Sequence, residues 1–327
     1  MSSPLAERGP DPTAQDAADI VATITGQAPR AVRRFPTGSS HFVFDVETAA
    51  RRSAVLRLSR PEDIEAARGA IYWSGVLRPM GVPLPDMLHA DLSMTRFSFP
   101  AILLARLVGD DLGTVYQRLS GRELRGLAER LATIQGIVAG LPPGQGFGYA
   151  TRQDGPFPHE SWRGVVSAHL ARSRARIRAA AIVDEDLVDP VEAAARGFGY
   201  LDRVAATPFL HDITTKNVIL HEGRLSGIVD VDDLCFGDPL LLVALIRMAL
   251  LAHERDQAYL AAWIDIVRPD QEQSAALDLY TLQFCIDFMA ELGQRFNRTE
   301  APVDPAYLAR LRALYGELLD RVRAAIG

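Results

Sequence analysis

The reading of this chain turns on Phe209-Leu210-His211-Asp212-Ile213-Thr214-Thr215-Lys216-Asn217-Val218-Ile219-Leu220, followed by the turn His221-Glu222-Gly223 and by Leu225-Ser226-Gly227-Ile228-Val229-Asp230. Two short apolar runs flank a polar turn that contains glycine, which is the pattern of a β-hairpin. The loop before the first run carries Asp212 and Asn217, and Asp230 ends the second run. A hairpin brings these three oxygen-bearing side chains together. Such a sparse set of hard donors suits Mg²⁺, which keeps several waters and takes one or two carboxylates plus substrate phosphates.

The chain around this stretch has two textures. Toward the amino terminus, residues 14–24 have the pattern of a short helix, and residues 32–35 and 41–47 read as strands joined by the turn Pro36-Thr37-Gly38-Ser39-Ser40. Residues 54–58 form another strand that carries Arg57. Pro61, Glu62 and Asp63 then open a helix toward Leu77, ended by Val82-Pro83-Leu84-Pro85. Residues 87–89 and 101–108 read as further strands. After Gly109-Asp110-Asp111, Leu124, Leu127, Ala128, Leu131, Ala132 and Ile134 recur at the spacing of one helix face. Helices are expected over 162–181 and 190–206, a Gly- and Pro-rich loop over 140–158, and helix throughout after Pro239. At 327 residues the chain is long enough for two lobes. The expectation is an α+β fold with a small sheet lobe at 1–108 and a larger, mostly helical lobe at 109–327.

Composition removes several function classes. Thirty-five basic against 41 acidic side chains leave a net charge of −6, which argues against a general nucleic-acid binder. Cys235 and Cys285 are the only cysteines, too few for a zinc cluster or a disulfide framework, and the expected compartment is the cytoplasm. The apolar run 240–246 is interrupted by Arg247, far short of a membrane span. Lys216 is the only lysine and lies between Thr215 and Asn217, so no Gly-Lys-Ser/Thr phosphate loop exists. Asp230-x-Asp232 lacks the Gly and Glu of an EF-hand, and no His-Glu pair has the second His of a zincin helix.

An Asp, an Asn five residues on and a hairpin that closes on Asp is also the arrangement that eukaryotic-type kinases use for phosphoryl transfer. With Gly237-Asp238-Pro239 following, the segment resembles the catalytic core of the aminoglycoside phosphotransferase and choline kinase-like family. Gly38-Ser39-Ser40-His41-Phe42-Val43-Phe44 is similar to that family's phosphate-covering hairpin, and Val55-Leu56-Arg57-Leu58 to its basic third strand. The resemblance implies a two-lobed, protein-kinase-like fold that binds ATP and Mg²⁺ and phosphorylates a small-molecule hydroxyl. It gives Asp212 the acceptor's proton, Asn217 and Asp230 the metal, and Gly38, Ser39, Ser40 and Arg57 the nucleotide phosphates. Glu65 is the expected helix partner of Arg57. Asp232 and Asp233 support the loop. Two positions depart from the family's pattern: Arg57 stands where most kinases have lysine, and Leu210 stands where the family has the His of His-x-Asp, with His211 beside Asp212.

Asp287 and Glu291 lie one turn apart on an apolar helical stretch, where paired carboxylates would suit a cationic amine or aminoglycoside acceptor. The equally simple reading is a solvated stripe on a buried helix. The alternative function is a catalytically weak nucleotide-binding regulator of the same fold, suggested by Arg57 and by the displaced histidine. Neither nucleic acid nor membrane is an expected partner, and the acceptor's identity stays open at this point.

Overall fold

The computed structural model describes residues 11–35, 41–296, 299–300 and 303–326. They form two compact units, one of Met1–Ala67 with Pro85–Arg106 and the other of Arg68–Leu84 with Leu107–Gly327. Among the described residues no helix is long and apolar enough to cross a membrane.

The first unit opens with helix α1 (Ala14–Thr25), started by a reciprocal cap. The Thr13 hydroxyl accepts the Asp16 N–H at 3.1 Å, and the Asp16 carboxylate accepts the Thr13 N–H at 2.7 Å. Strands β1 (Ala31–Arg34), β2 (Phe42–Glu47) and β3 (Ser53–Leu58) follow, then the first residues of α2 (Ile64–Leu77), then β4 (Met87–Asp91) and β5 (Ala101–Ala105). The strands make one antiparallel sheet in the order β1-β2-β3-β5-β4. Alternation dictates its faces: Phe42, Phe44 and Val46 of β2 point to one side, where Leu56 and Leu58 of β3, Leu103 of β5, and Ala17, Ile20 and Val21 of α1 complete a dry core.

In the second unit the remainder of α2 is followed by β6 (Asp110–Asp111), α3 (Leu112–Val115), α4 (Gly121–Ala139), β7 (Gly148–Ala150), α5 (Trp162–Ala180), α6 (Asp189–Gly197) and β8 (Thr207–Phe209). Next come β9 (Val218–His221), β10 (Arg224–Ile228), β11 (Leu234–Gly237), α7 (Leu240–Ala252), α8 (Ala258–Val267), α9 (Gln271–Glu291), β12 (Arg295–Phe296), β13 (Thr299–Glu300) and α10 (Pro305–Ile326). Two three-stranded antiparallel sheets, β10-β9-β6 and β7-β11-β8, are embedded in this helical body. The hairpin read from the sequence is β9–β10. Its two-residue loop, Glu222-Gly223, takes positive φ at both positions (50° and 73°), the primed turn whose twist matches antiparallel strands. Helix α9 is buried along most of its length and is the central post, packed on α5, α7 and α10.

Three stretches differ from the sequence reading. The helix expected over 190–206 stops at Gly197: Phe198 is extended (φ −89°, ψ 95°) between two glycines, and only a 3₁₀ turn, Gly199–Asp202, follows. The Gly- and Pro-rich loop contains strand β7, which pairs with β11. The carboxy-terminal region includes the short β12–β13 pair beside its helices.

Two buried polar nodes fix the helical packing. The Asp238 carboxylate accepts hydrogen bonds from the Tyr200 and Tyr280 hydroxyls, each at 2.9 Å, and from the Leu240 N–H at 3.0 Å. The indole of Trp162 donates to the Tyr280 hydroxyl at 2.7 Å, which ties α5 to α9 and to the start of α7. His169 of α5 sits between the Gln283 amide of α9 (2.7 Å from Nδ1) and the Tyr149 hydroxyl of β7 (3.1 Å from Nε2). Burial, then the nearby Arg172 guanidinium, pushes the His169 pKa down to about 3.

Both nodes give measurable expectations. Asp238→Ala leaves two tyrosine hydroxyls and an N–H without an acceptor and should cost about 3–5 kcal/mol in denaturant unfolding, with Asp238→Asn costing less; equal midpoints for wild type and both variants would contradict the node. An unfolded His169 takes up a proton near pH 6.5 while the folded one resists to about pH 3, so stability falls as pH drops through that window, by about 2 kcal/mol at pH 5. His169→Gln should flatten this acid slope in melts run from neutral to mildly acidic pH; an unchanged slope would assign the effect elsewhere.

Candidate functional site

Strand β8 ends at Phe209 and the chain enters the loop 210–217, which is held by its own polar groups. The Thr214 hydroxyl donates to Asp212 Oδ1 at 2.8 Å, the Asn217 side-chain amide donates to the Asp212 carbonyl at 3.0 Å, and the Asn217 N–H reaches the Thr214 carbonyl at 3.2 Å. At the far end of the loop, the Gly113 N–H donates to the Thr215 carbonyl at 2.8 Å, and Arg255 donates to the Gly113 carbonyl at 2.8 Å. One carboxylate oxygen of Asp212 is thus committed and its backbone is pinned.

The hairpin ladder continues one step beyond the strands. The Val229 N–H donates to the Asn217 carbonyl at 2.9 Å, so Asp230 follows directly on a residue tied to Asn217. Asp230 then leaves the ladder in the left-handed region (φ 64°), a conformation that a β-carbon disfavours and that the surroundings must hold. The next loop is braced by α2: a β-carbon on Gly69 would lie 1.9 Å from the Asp232 carbonyl oxygen, so only glycine allows this approach.

The charged groups of this region act on one another. Burial raises the Asp212 pKa and the Asp230 charge raises it further, while His211, the Thr214 hydrogen bond and Lys216 oppose the shift. Asp233 is also raised, first by burial and then by Asp232, Asp230 and Asp212, against the pull of His211. His211 Nδ1 lies 3.5 Å from Asp233 Oδ1, a long contact, and its ring meets Tyr149 edge-on at 4.6 Å. Three oxygen donors, the Asn217 amide oxygen and the carboxylates of Asp212 and Asp230, with no sulfur or imidazole among them, fit Mg²⁺ by their hardness.

Asp287 and Glu291 are on α9, facing α5. Asp287 is buried and accepts from the Ser173 hydroxyl, and its other oxygen lies 3.3 Å from Arg172. Glu291 is exposed at the helix end. Both carboxyls are raised, by loss of water first. Asp287 adds to the shift of Glu291, while Arg172 and Arg176 oppose it in both and Lys216 opposes it in Glu291. Arg57 and Glu65 are in the first unit, Arg57 on β3 at 8% exposure and Glu65 in the first turn of α2. Gly38, Ser39 and Ser40 lie outside the described residues. Sequence reasoning passed over Tyr149, His169, Gln283 and Gln135, which meet the loop or its neighbours through the fold. No spacing rule relates them to Asp212.

The model of the phosphotransferase enzyme family matches residues 31–277. Among solved structures, a thermostable aminoglycoside phosphotransferase APH(4)-Ia in ternary complex with AMP-PNP and hygromycin B is similar over 96% of this chain and 98% of that one, at 18% identity and a TM-score of 0.63. The streptomycin–ATP–APH(2")-IIa ternary complex matches at 13% identity over 95% and 97% of the two chains, with a TM-score of 0.61. A putative fructosamine-3-kinase from Thermobifida fusca matches at 15% identity over 94% and 97%, with a TM-score of 0.56. These likenesses share the fold, an antiparallel-sheet unit and a mostly helical one of the kinase-like kind. The search of curated proteins gave no match. With the family model spanning most of its length, this chain belongs to the phosphotransferase enzyme family and is a small-molecule kinase.

Proposed function

We propose that the protein is a cytoplasmic, ATP- and Mg²⁺-dependent O-phosphotransferase that moves the γ-phosphate to a hydroxyl of a small, cationic amine or aminoglycoside-like acceptor. The observation that supports the proposal most is the Val229–Asn217 backbone bond, which ties the residue before Asp230 to the loop that carries Asp212 and Asn217. The solved relatives bound to AMP-PNP or ATP with hygromycin B or streptomycin support the nucleotide and the kind of acceptor.

In this mechanism Asp212, oriented by the Thr214 hydroxyl, takes the proton of the acceptor hydroxyl as that oxygen bonds to the γ-phosphorus; the bond to the bridging oxygen breaks and ADP leaves. Asn217 and Asp230 would hold Mg²⁺, which when bound supplies positive charge against the phosphate oxygens. Arg57 would grip the α- and β-phosphates in two places, steadied by Glu65, with Gly38, Ser39 and Ser40 over the phosphates. Catalysis on this reading is positioning and charge neutralisation, with no covalent enzyme intermediate. Glu291, with Asp287 behind it, would receive the acceptor's cationic group.

MgATP offered with a panel of aminoglycosides, amino alcohols and sugars should give acceptor-dependent ADP. Asp212→Asn should lower kcat by about 10²–10⁴-fold while ATP still binds. Nucleotide binding without turnover in the wild type, with Asp212→Asn making no difference, would point instead to the regulator reading. Glu291→Gln should raise the KM of a cationic acceptor by about tenfold with the KM of ATP unchanged, and Asp287→Asn should act in the same direction while also loosening the α5–α9 contact; an acceptor KM untouched in both would remove the acidic subsite.

A further inference from the structure

The residue two before Asp212 is Leu210, whose apolar side chain is buried in the helical core and offers no hydrogen bond to the loop. Strand β8 ends one residue earlier, so the backbone N–H and carbonyl of Leu210 fall outside the β8–β11 pairing, which runs from Thr207 to Phe209. One side chain takes both groups. Gln135 accepts the Leu210 N–H at Oε1 (3.0 Å) and donates from Nε2 to the Leu210 carbonyl (2.6 Å).

Gln135 stands on α4 directly after Ile134, on the same helix face as buried Leu124, Ala128, Leu131 and Val138, which fix that face in the core. The amide is therefore mounted on a rigid element. Two hydrogen bonds from one planar amide to the two backbone groups of one residue restrain both peptide planes that flank Leu210, and the second of these planes leads into His211 and Asp212. A single contact would leave rotation free; two do not.

We propose that Gln135 is a positioning residue for phosphoryl transfer, the clamp that sets the direction in which the chain enters the Asp212 loop in place of an anchoring side chain at position 210. The inference rests on the phosphotransferase reading for its kinetic consequence, but the clamp itself is open to a test that needs no acceptor.

Gln135→Leu removes both bonds at similar size, and Gln135→Glu keeps the acceptor but loses the amide donor. Hydrogen–deuterium exchange on the full chain should show peptides covering 209–214 exchanging about tenfold faster in Gln135→Leu, with α9 and the first-unit sheet unchanged and Gln135→Glu intermediate. In MgATP turnover with a working acceptor, kcat should fall by about 10²-fold in Gln135→Leu while the KM values of ATP and acceptor stay within about twofold, with partial recovery in Gln135→Glu. Unchanged exchange at 209–214 overturns the clamp, and so does exchange that rises evenly across the chain, which marks a general loss of stability. Faster local exchange with undiminished kcat overturns the positioning role. A wild type that turns nothing over sinks the phosphotransferase reading and with it the kinetic role, while the exchange result still decides whether Gln135 orders the loop.

Discussion

A single backbone hydrogen bond, from the Val229 N–H to the Asn217 carbonyl, ties the Asp212 loop to the end of the β9–β10 hairpin, and the candidate site depends on it. It extends the β9–β10 ladder by one step, so Asp230, the residue after Val229, leaves the hairpin directly beside the end of the Asp212 loop. A one-residue slip would turn the side chains to the opposite face of the hairpin. The primed turn at Glu222-Gly223 and the register shift between Leu225 and Gly227 together set that register, and the left-handed backbone of Asp230 ends it.

Gathering carboxylates in partly dry surroundings costs free energy, and the structure spreads that cost over several compensating contacts. Asp212 keeps a hydrogen bond from Thr214, and its pKa is raised by burial and by Asp230 against the pull of His211 and Lys216. Asp233 has His211 for its neighbour, and Asp238, deeper in the core, has three donors. On the function proposed above, a cation would offset the repulsion between Asp212 and Asp230. Asp287 is different. Its charge is answered inside the protein by Ser173 and Arg172, so it acts as a joint between α5 and α9 as well as a candidate for acceptor contact.

The two residues before Asp212 find a local setting in the fold. Leu210 contributes an apolar side chain to the core while Gln135 holds its backbone from α4. His211, shifted to the position beside Asp212, lies against Tyr149 and Asp233. Tyr149 leads in turn to His169 and Gln283, so a string of polar side chains runs from the loop into the α5–α9 packing.

The sequence by itself determined the hairpin, the alternating strands of the first unit and the family. Each is written in local spacing: alternation with period two, a turn that demands glycine, and residue types at fixed separations. It overran at 190–206, where Gly197 and Gly199 flank an extended Phe198 and stop the helix. It gave no sign of β7, because that short strand exists only through its pairing with β11. Tertiary structure alone decided that Gln135 meets Leu210, that Asp287 is answered by Ser173 and Arg172, and that Gly69 admits the Asp232 carbonyl. Those contacts join residues far apart in the chain through backbone groups or through burial, and neither leaves a periodic mark among the amino acids.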